Sequence, residues 1–294
     1  MNTDTLQKPL VSICCVTYNH ENFIGDCLDG FVKQQTTFPF EILVHEDAST
    51  DNTAAIVKEY EKKYPHLFRC VYQTINQFAI QNTLAKILFP MARGKYIALC
   101  EGDDYWTDPL KLQKQVDFLE ANEDYAICCH EVKILQEDGA EALYNNIEEN
   151  TSFNINDLVH NNFIAAVSCV FRVYEHHSPL PSWYTGYAGN DYGLKLLNAT
   201  KGKIYYIKDC MAVYRVHSGG IWSSQSHEEM YENGIKVIDS LNAAFNYQYN
   251  KEFEQGKKLR YQRFFPQPDI IAQPVKYSGI KSKIKYYLSK IFSL

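Results

Sequence analysis

The chain has 294 residues, 46% of them hydrophobic, which suffices for one large α/β domain or two small ones and excludes global disorder. Its net charge of −6, from 29 basic and 35 acidic residues, comes without a long basic block in the body of the chain, so no nucleic-acid partner is expected. The nine cysteines (14, 15, 27, 70, 100, 128, 129, 169 and 210) form no Cys-x-x-Cys pair and are odd in number, which argues against a disulfide or zinc framework and for a reducing cytosol.

Residues 10–18 are almost continuously apolar, yet too few to span a bilayer, and no basic leader or small-residue cleavage site surrounds them. They read as a strand covered on both faces. Asn19-His20 then offers a turn and a helix cap, and residues 21–35 place Phe23, Ile24, Cys27, Leu28, Phe31 and Val32 on one helical stripe. Residues 40–45 form a second strand, Asp51-Asn52-Thr53 caps a helix to about Tyr64, and residues 68–72 form a third strand. A helix within 81–93 leads to a fourth strand at 95–100. This alternation predicts a mostly parallel sheet with helices on both faces and ligands at the carboxyl ends of its strands. Asp108 as cap and Pro109 at the first position open a helix to about Glu120. Beyond it, strands are expected at 125–135 and 165–174, separated by a polar, Asn-rich surface excursion at 137–162 around an acceptor cleft. A helix at 191–199, a strand at 203–216 and one long helix at 227–249 complete the body, with no internal repeat and no dividing linker.

Acidic clusters stand where this topology puts strand ends. Glu46-Asp47 follows the second strand, and Glu101-x-Asp103-Asp104 follows the fourth. The carboxylates of the latter repel one another unless a cation or hydrogen-bond donors compensate. A hard divalent ion, Mn2+ or Mg2+, favours such oxygen donors and bridges protein to phosphates, which points to a diphosphate-bearing ligand. The competing reading is a solvated acidic turn in front of a helix. Strand one ends in Thr17-Tyr18-Asn19-His20-Glu21, without a glycine-rich phosphate loop, so dinucleotide oxidoreductases and P-loop enzymes are disfavoured. The charge of a bound nucleotide diphosphate would then be met by the metal and by Arg93, Arg215 or His217.

The pieces Val16-Thr17-Tyr18-Asn19, Glu46 to Thr53, Ala92 to Trp106, Gly189-Asn190-Asp191-Tyr192 and Tyr214 to Gly220 stand in one order on one topology. Together they resemble the family 2 glycosyltransferases of GT-A fold, over roughly residues 8–222. The resemblance implies an inverting, metal-dependent transferase that moves a sugar from a nucleoside diphosphate donor, typically a UDP-sugar, to a glycan or lipid-linked acceptor in cell-surface polysaccharide synthesis. It implies that Thr17, Tyr18 and Asn19 line the donor site, that Asp47 bonds the base and that Arg93 and Arg215 face the diphosphate. Glu101-Gly102-Asp103 takes the D-x-D position, with Asp103 the metal ligand and Glu101 or Asp104 binding ribose, water or metal. Glutamate at 101 departs from the commoner aspartate. His217 takes the Arg-x-His position, where it contacts metal or diphosphate, although a histidine ending a strand is often structural. Asp191 takes the place of the catalytic base that receives the acceptor's proton, the alternative being a plain helix cap.

Trp106, Trp183, Tyr187, Asn190 and Trp222 are expected on the acceptor side, since aromatic faces suit pyranose rings, with core packing as the alternative. Residues 1–225 read as the GT-A catalytic domain, its nucleotide half at 8–106 and its acceptor half at 107–225, followed by a helical extension at 226–275. The last 19 residues, 276–294, are basic and amphipathic, a pattern for the inner, cytoplasmic face of an anionic membrane or equally for packing on the domain. Two further functions compete: a sugar-phosphate nucleotidyltransferase, which would need the missing glycine-rich loop, and a catalytically silent sugar-nucleotide-binding or scaffold protein.

Overall fold

The computed structural model describes residues 8–78, 84–174, 183–184, 190–220 and 225–265. In chain order the elements are β1 (Val11–Thr17), α1 (Ile24–Val32), β2 (Phe40–Glu46), α2 (Thr53–Lys63) and β3 (Phe68–Tyr72), then a π turn (Leu84–Leu88) running into the short α3 (Phe89–Met91). There follow β4 (Tyr96–Glu101), β5 (Tyr105–Trp106), α4 (Lys111–Ala121), β6 (Tyr125–Gln136), β7 (Glu141–Leu143), β8 (Thr151–Phe153) and α5 (Ile155–His160). The chain continues with β9 (Val170–Arg172), α6 (Asn190–Ala199), β10 (Lys203–Val216), α7 (His227–Ala244) and α8 (Asn250–Phe264).

One sheet holds all ten of these strands, in the order β3-β2-β1-β4-β9-β6-β10-β5, with β7 beside β6 and β8 beside β10. The half β3-β2-β1-β4 is parallel, as the βα alternation requires. The other half is mixed, because β9 lies antiparallel between β4 and β6, and β5 antiparallel to β10. Alternation along the central strands sends side chains to two cores. Ile13, Cys15, Ile42, Val44, Ala98 and Cys100 pack on one face with Leu28 and Phe31 of α1, Val57 of α2 and Leu112 and Val116 of α4. Cys14, Leu43, Ile97 and Leu99 face the opposite core, formed with Leu158 of α5, Leu194 of α6, Leu241 of α7 and Phe253 of α8. Each such buried aliphatic or aromatic side chain contributes about 1.5–3 kcal/mol, which is why a helix with few capping bonds, such as α1, holds its place.

Several elements differ from the sequence reading. The helix after strand one starts at Ile24 rather than 21, because the turn closes on the His20 carbonyl, which accepts from the amides of Phe23 and Ile24. The 137–162 stretch is not purely a surface excursion, since β7, β8 and α5 add strands and a helix to the body. The helix expected at 227–249 ends at Ala244, just before Asn246 and Tyr247 take left-handed φ of 51° and 60°, and a separate helix, α8, starts at Asn250. Asp108 does not cap α4 directly. Its carboxylate accepts from the Leu110 amide and pairs with Lys114 while the helix begins at Lys111.

Candidate active site

At the amino edge of the parallel strands, Ser12, Glu41, Arg69 and Arg93 form a closed cluster. Glu41, 2% exposed, accepts from Ser12 Oγ at 2.7 Å, from Arg69 Nη1 at 3.0 Å, and from Arg93 through its amide and Nε, both at 2.8 Å. Burial alone would raise the Glu41 carboxyl, but the bonds from Arg93, Ser12 and Arg69 hold it below the usual range. Arg93 therefore corrects the expectation that it faces a diphosphate. It precedes β4, at the end of the sheet opposite to the carboxyl edge, because its guanidinium serves Glu41. The adjoining Gly94 is required for the backbone to close there, since a Cβ would stand 2.6 Å from the Ser12 nitrogen.

The carboxyl edge is built differently. Pairing sets Val16 beside Glu101 and Thr17 beside Glu46, which gathers the loops after β1, β2 and β4. Asn19, at φ 54°, donates its amide to Ser49 Oγ at 3.0 Å and accepts from the Thr50 amide at 2.8 Å, tying the β1 loop to the β2 loop. Asp47 donates its amide to the Thr17 carbonyl and accepts from the Gln77 amide at 2.7 Å. Tyr18 is 41% exposed beside them. Gly102 donates its amide to the Val16 carbonyl at 2.9 Å, and a Cβ on it would meet Thr17 Oγ1 at 2.5 Å, so only glycine lets the acidic turn lie against β1.

That turn carries more negative charge than its protein partners neutralise. Asp103 Oδ2 stands 3.2 Å from His217 Nε2 and 3.8 Å from His20 Nε2. Burial would raise the Asp103 carboxyl, but the His217 hydrogen bond and the His20 charge hold it below its usual range. Its Oδ1 is buried and has no hydrogen-bond partner among the described residues. Asp104 is 1% exposed, with Oδ1 accepting the Arg215 amide at 2.9 Å and Oδ2 buried and unmatched among the described residues. Burial, then the charges of Asp103 and Glu101, push its carboxyl well above the usual range. Glu101 is exposed to solvent, yet desolvation by the protein groups around it, followed by the Asp103 and Asp191 charges, pushes its carboxyl up to about 8. Orphaned oxygens beside imidazole nitrogens fit a divalent cation, which would be held by Asp103 with His217 and would relieve the repulsion.

Arg215 and Asp104, expected on the donor side, stand at the acidic turn and brace it. Arg215 Nη1 donates to the Asp103 carbonyl at 2.8 Å, Nη2 donates to the Asp26 carboxylate, and the guanidinium lies 4.2 Å from the Tyr105 ring centroid. Together with the inward-turned Asp104 it clamps the acidic turn onto β10. Trp106 is not on an acceptor face. It is buried, its indole donates to the Val167 carbonyl at 3.0 Å, and its ring packs on Phe31 and under the Lys111 ammonium. Trp183 packs against Tyr184 and Phe245. Tyr187, Trp222 and the tail at 276–294 lie outside the described residues, and Asn190 is described only as the backbone that opens α6.

Asp191 stands in the first turn of α6, where its carboxylate suits the positive end of the helix. Its Oδ1 accepts from the Tyr192 amide at 2.7 Å and its Oδ2 from Lys195 Nζ at 2.7 Å.

The sequence model of glycosyl transferase family 2 matches residues 12–218, the span that holds His20, Asp103, Asp191 and His217. The chain belongs to glycosyl transferase family 2. An uncharacterised protein of Mycobacterium tuberculosis is 40% identical to it over 215 residues, which cover 73% of this chain and 61% of that protein. The family 2 chain thus spans about three fifths of that relative's length. Staphylococcus aureus TarS 1–349, solved with UDP-GlcNAc, superposes with a TM-score of 0.62 at 18% identity, over 88% of this chain and 76% of that one. A Pyrobaculum calidifontis mannosyltransferase, solved with GDP-Man and Mn2+, superposes with a TM-score of 0.59 at 17% identity, over 87% and 70%. These likenesses show the GT-A fold; in this chain α7 and α8 pack on the second core through Leu241 and Phe253.

Two groups of this family 2 site escaped the sequence reading. Lys195 is 1% exposed, and its ammonium donates to Asp191 and to the Ile164 carbonyl, both at 2.7 Å. Burial would lower its pKa, but the Asp191 carboxylate holds it above the usual value. The i, i+4 spacing from Asp191 was the available signal. His20, first read as part of a turn and cap, turns its ring to Asp103, and no local pattern announces that contact.

Proposed function

We propose that the chain transfers a sugar from a nucleoside diphosphate sugar, a UDP-sugar in the simplest case, to a hydroxyl of a glycan or lipid-linked acceptor with inversion. The observation that supports it is the meeting of two unlike carboxylate sites at the carboxyl edge. Asp103 lies in an under-compensated cluster suited to a cation, and Asp191 sits apart, close enough for its charge to act on Glu101. Thr17, Tyr18, Asn19 and Asp47 form the nucleoside side, on loops that cross-brace one another. Asp103 and His217 hold the divalent ion, Mn2+ or Mg2+. When bound, that ion neutralises charge developing on the leaving diphosphate. Asp191 accepts the proton of the acceptor hydroxyl as its oxygen attacks the anomeric carbon opposite the diphosphate. Lys195 orients the Asp191 carboxylate for that transfer.

No helix among the described residues is long and apolar enough to cross a membrane. A lipid-linked acceptor would be met at a membrane surface through the basic, amphipathic residues 276–294. The test is a panel of sugar nucleotides with and without Mn2+, followed by release of the nucleoside diphosphate. Metal-dependent release that rises with a glycan acceptor supports the reading. Stabilisation by sugar nucleotides with no release under any condition would instead favour the silent binding protein.

A further inference from the structure

We propose that His20 joins Asp103 and His217 as a single metal-binding face of two imidazole nitrogens and one carboxylate, and that this face prefers Mn2+ or Co2+ over Mg2+. The proposal rests on the transferase reading for what the ion does, and on geometry alone for what holds it.

Two overlapping sets of donors share Asp103. One ligand atom from each of His20, Asp103 and His217 lies within 4.8 Å of the others, and the same is true of Glu101, Asp103 and Asp104. The all-oxygen set carries a cost the nitrogen set does not. Asp104 is 1% exposed and its Oδ1 is committed to the Arg215 amide, which leaves only the buried Oδ2 to turn towards an ion and brings a third carboxylate charge into the set. His20, Asp103 and His217 are each partly open, at 16%, 16% and 13% side-chain exposure, and all face the same space.

The two rings are also oriented from behind. His20 Nδ1 lies 3.3 Å from Thr17 Oγ1, which leaves Nε2 towards Asp103, and Phe23 packs on the His217 ring at 4.5 Å between centroids. A partner on the far nitrogen is how metal-binding imidazoles are commonly held. The turn that places His20 is itself enforced, because Asn19 is left-handed and the His20 carbonyl closes the first bonds of α1. Imidazole suits transition ions, whereas Mg2+ demands oxygen donors and keeps its waters. Two nitrogens in a set of three therefore shift preference towards Mn2+ and, further along the affinity order, Co2+.

The test uses the full chain with Mn2+ alone and with Mn2+ plus UDP, read by electron paramagnetic resonance. Bound Mn2+ in the wild type should show nitrogen hyperfine coupling from two imidazoles, and Mg2+ should displace it only in large excess. His20→Gln should lose one of the two couplings and weaken Mn2+ at least about tenfold, with an unchanged circular dichroism spectrum. Bound Mn2+ with no nitrogen coupling in the wild type overturns the proposal without recourse to any variant. So does His20→Gln with wild-type affinity and spectrum, or a chain that binds Mn2+ neither alone nor with UDP. Two nitrogen couplings in a chain that turns over no sugar nucleotide would sink the transferase and leave the site. Turnover supported equally by Mg2+ and indifferent to His20→Gln would do the reverse.

Discussion

The two ends of the parallel half-sheet each bury carboxylates, and they treat them in opposite ways. At the amino edge Glu41 is met by Ser12, Arg69 and Arg93, and its carboxyl is held low. At the carboxyl edge Asp104 is pushed well up and Glu101 to about 8, while an oxygen of Asp103 has no partner among the described residues. A compensated carboxylate is finished structure, whereas an uncompensated one is half of an interaction whose other half is a ligand. Edge and compensation together, more than acidity itself, separate a strut from a site.

That contrast is open to direct attack. The largest effect expected is from Asp103→Asn, which should lower metal-dependent donor turnover on the order of a thousandfold, the several kcal/mol a metal supplies to charge stabilisation. Stabilisation by UDP plus Mn2+ should vanish in a thermal melt while the apo protein stays folded with a somewhat lower melting point, because the Asp103 carboxylate that His217 and His20 hold below its usual range is itself stabilising. If metal-dependent binding survives, Asp103 is not the ligand. Asp191→Asn keeps an acceptor for Lys195 and should depress kcat for transfer on the order of a hundredfold with the donor KM unchanged. Unaltered transfer kinetics would remove Asp191 from the reaction.

Lys195→Met should lower kcat roughly tenfold at unchanged donor KM, and it should cost stability by leaving the Ile164 carbonyl and the Asp191 carboxylate without their cation. A loss of stability with full kcat would make Lys195 purely structural. The smallest effect on chemistry belongs to the amino edge. Glu41→Gln should spare kcat and destabilise the fold by about 2 kcal/mol at neutral pH. Because the folded Glu41 carboxyl lies below its unfolded value of about 4.3, its contribution is present above that pH and is lost as pH falls through the folded value. Urea denaturation of wild type and variant should therefore converge in acid, and a gap that persists there would contradict the charge argument.

Much of this was legible in residues alone. The strands at 68–72 and 203–216 fall where the apolar runs and turns put them, because strand-forming apolar and aromatic runs bounded by turns leave a local mark. So does the Glu101 to Asp104 turn, since like charges crowded after a strand need a reason. Other features carry no such mark. Asn246 and Tyr247 break the expected long helix through backbone angles that no apolar period encodes. Arg93 and Arg215 look alike as free cations near a motif, yet one faces Glu41 at the wrong edge and the other is spent on Asp26 and the Asp103 carbonyl.

The sequence by itself determined the alternation of strands and helices, the family, and which loops carry the acidic groups, because periodicity and short motifs are local properties of a chain. Only the tertiary structure decided which of those groups meet. His20 reaches Asp103 across 83 positions and His217 across 114, contacts made by sheet register and loop bracing rather than by neighbours in sequence. Whether a carboxylate is a strut or a site depends on what charge stands opposite it in space. That partner is supplied by the fold.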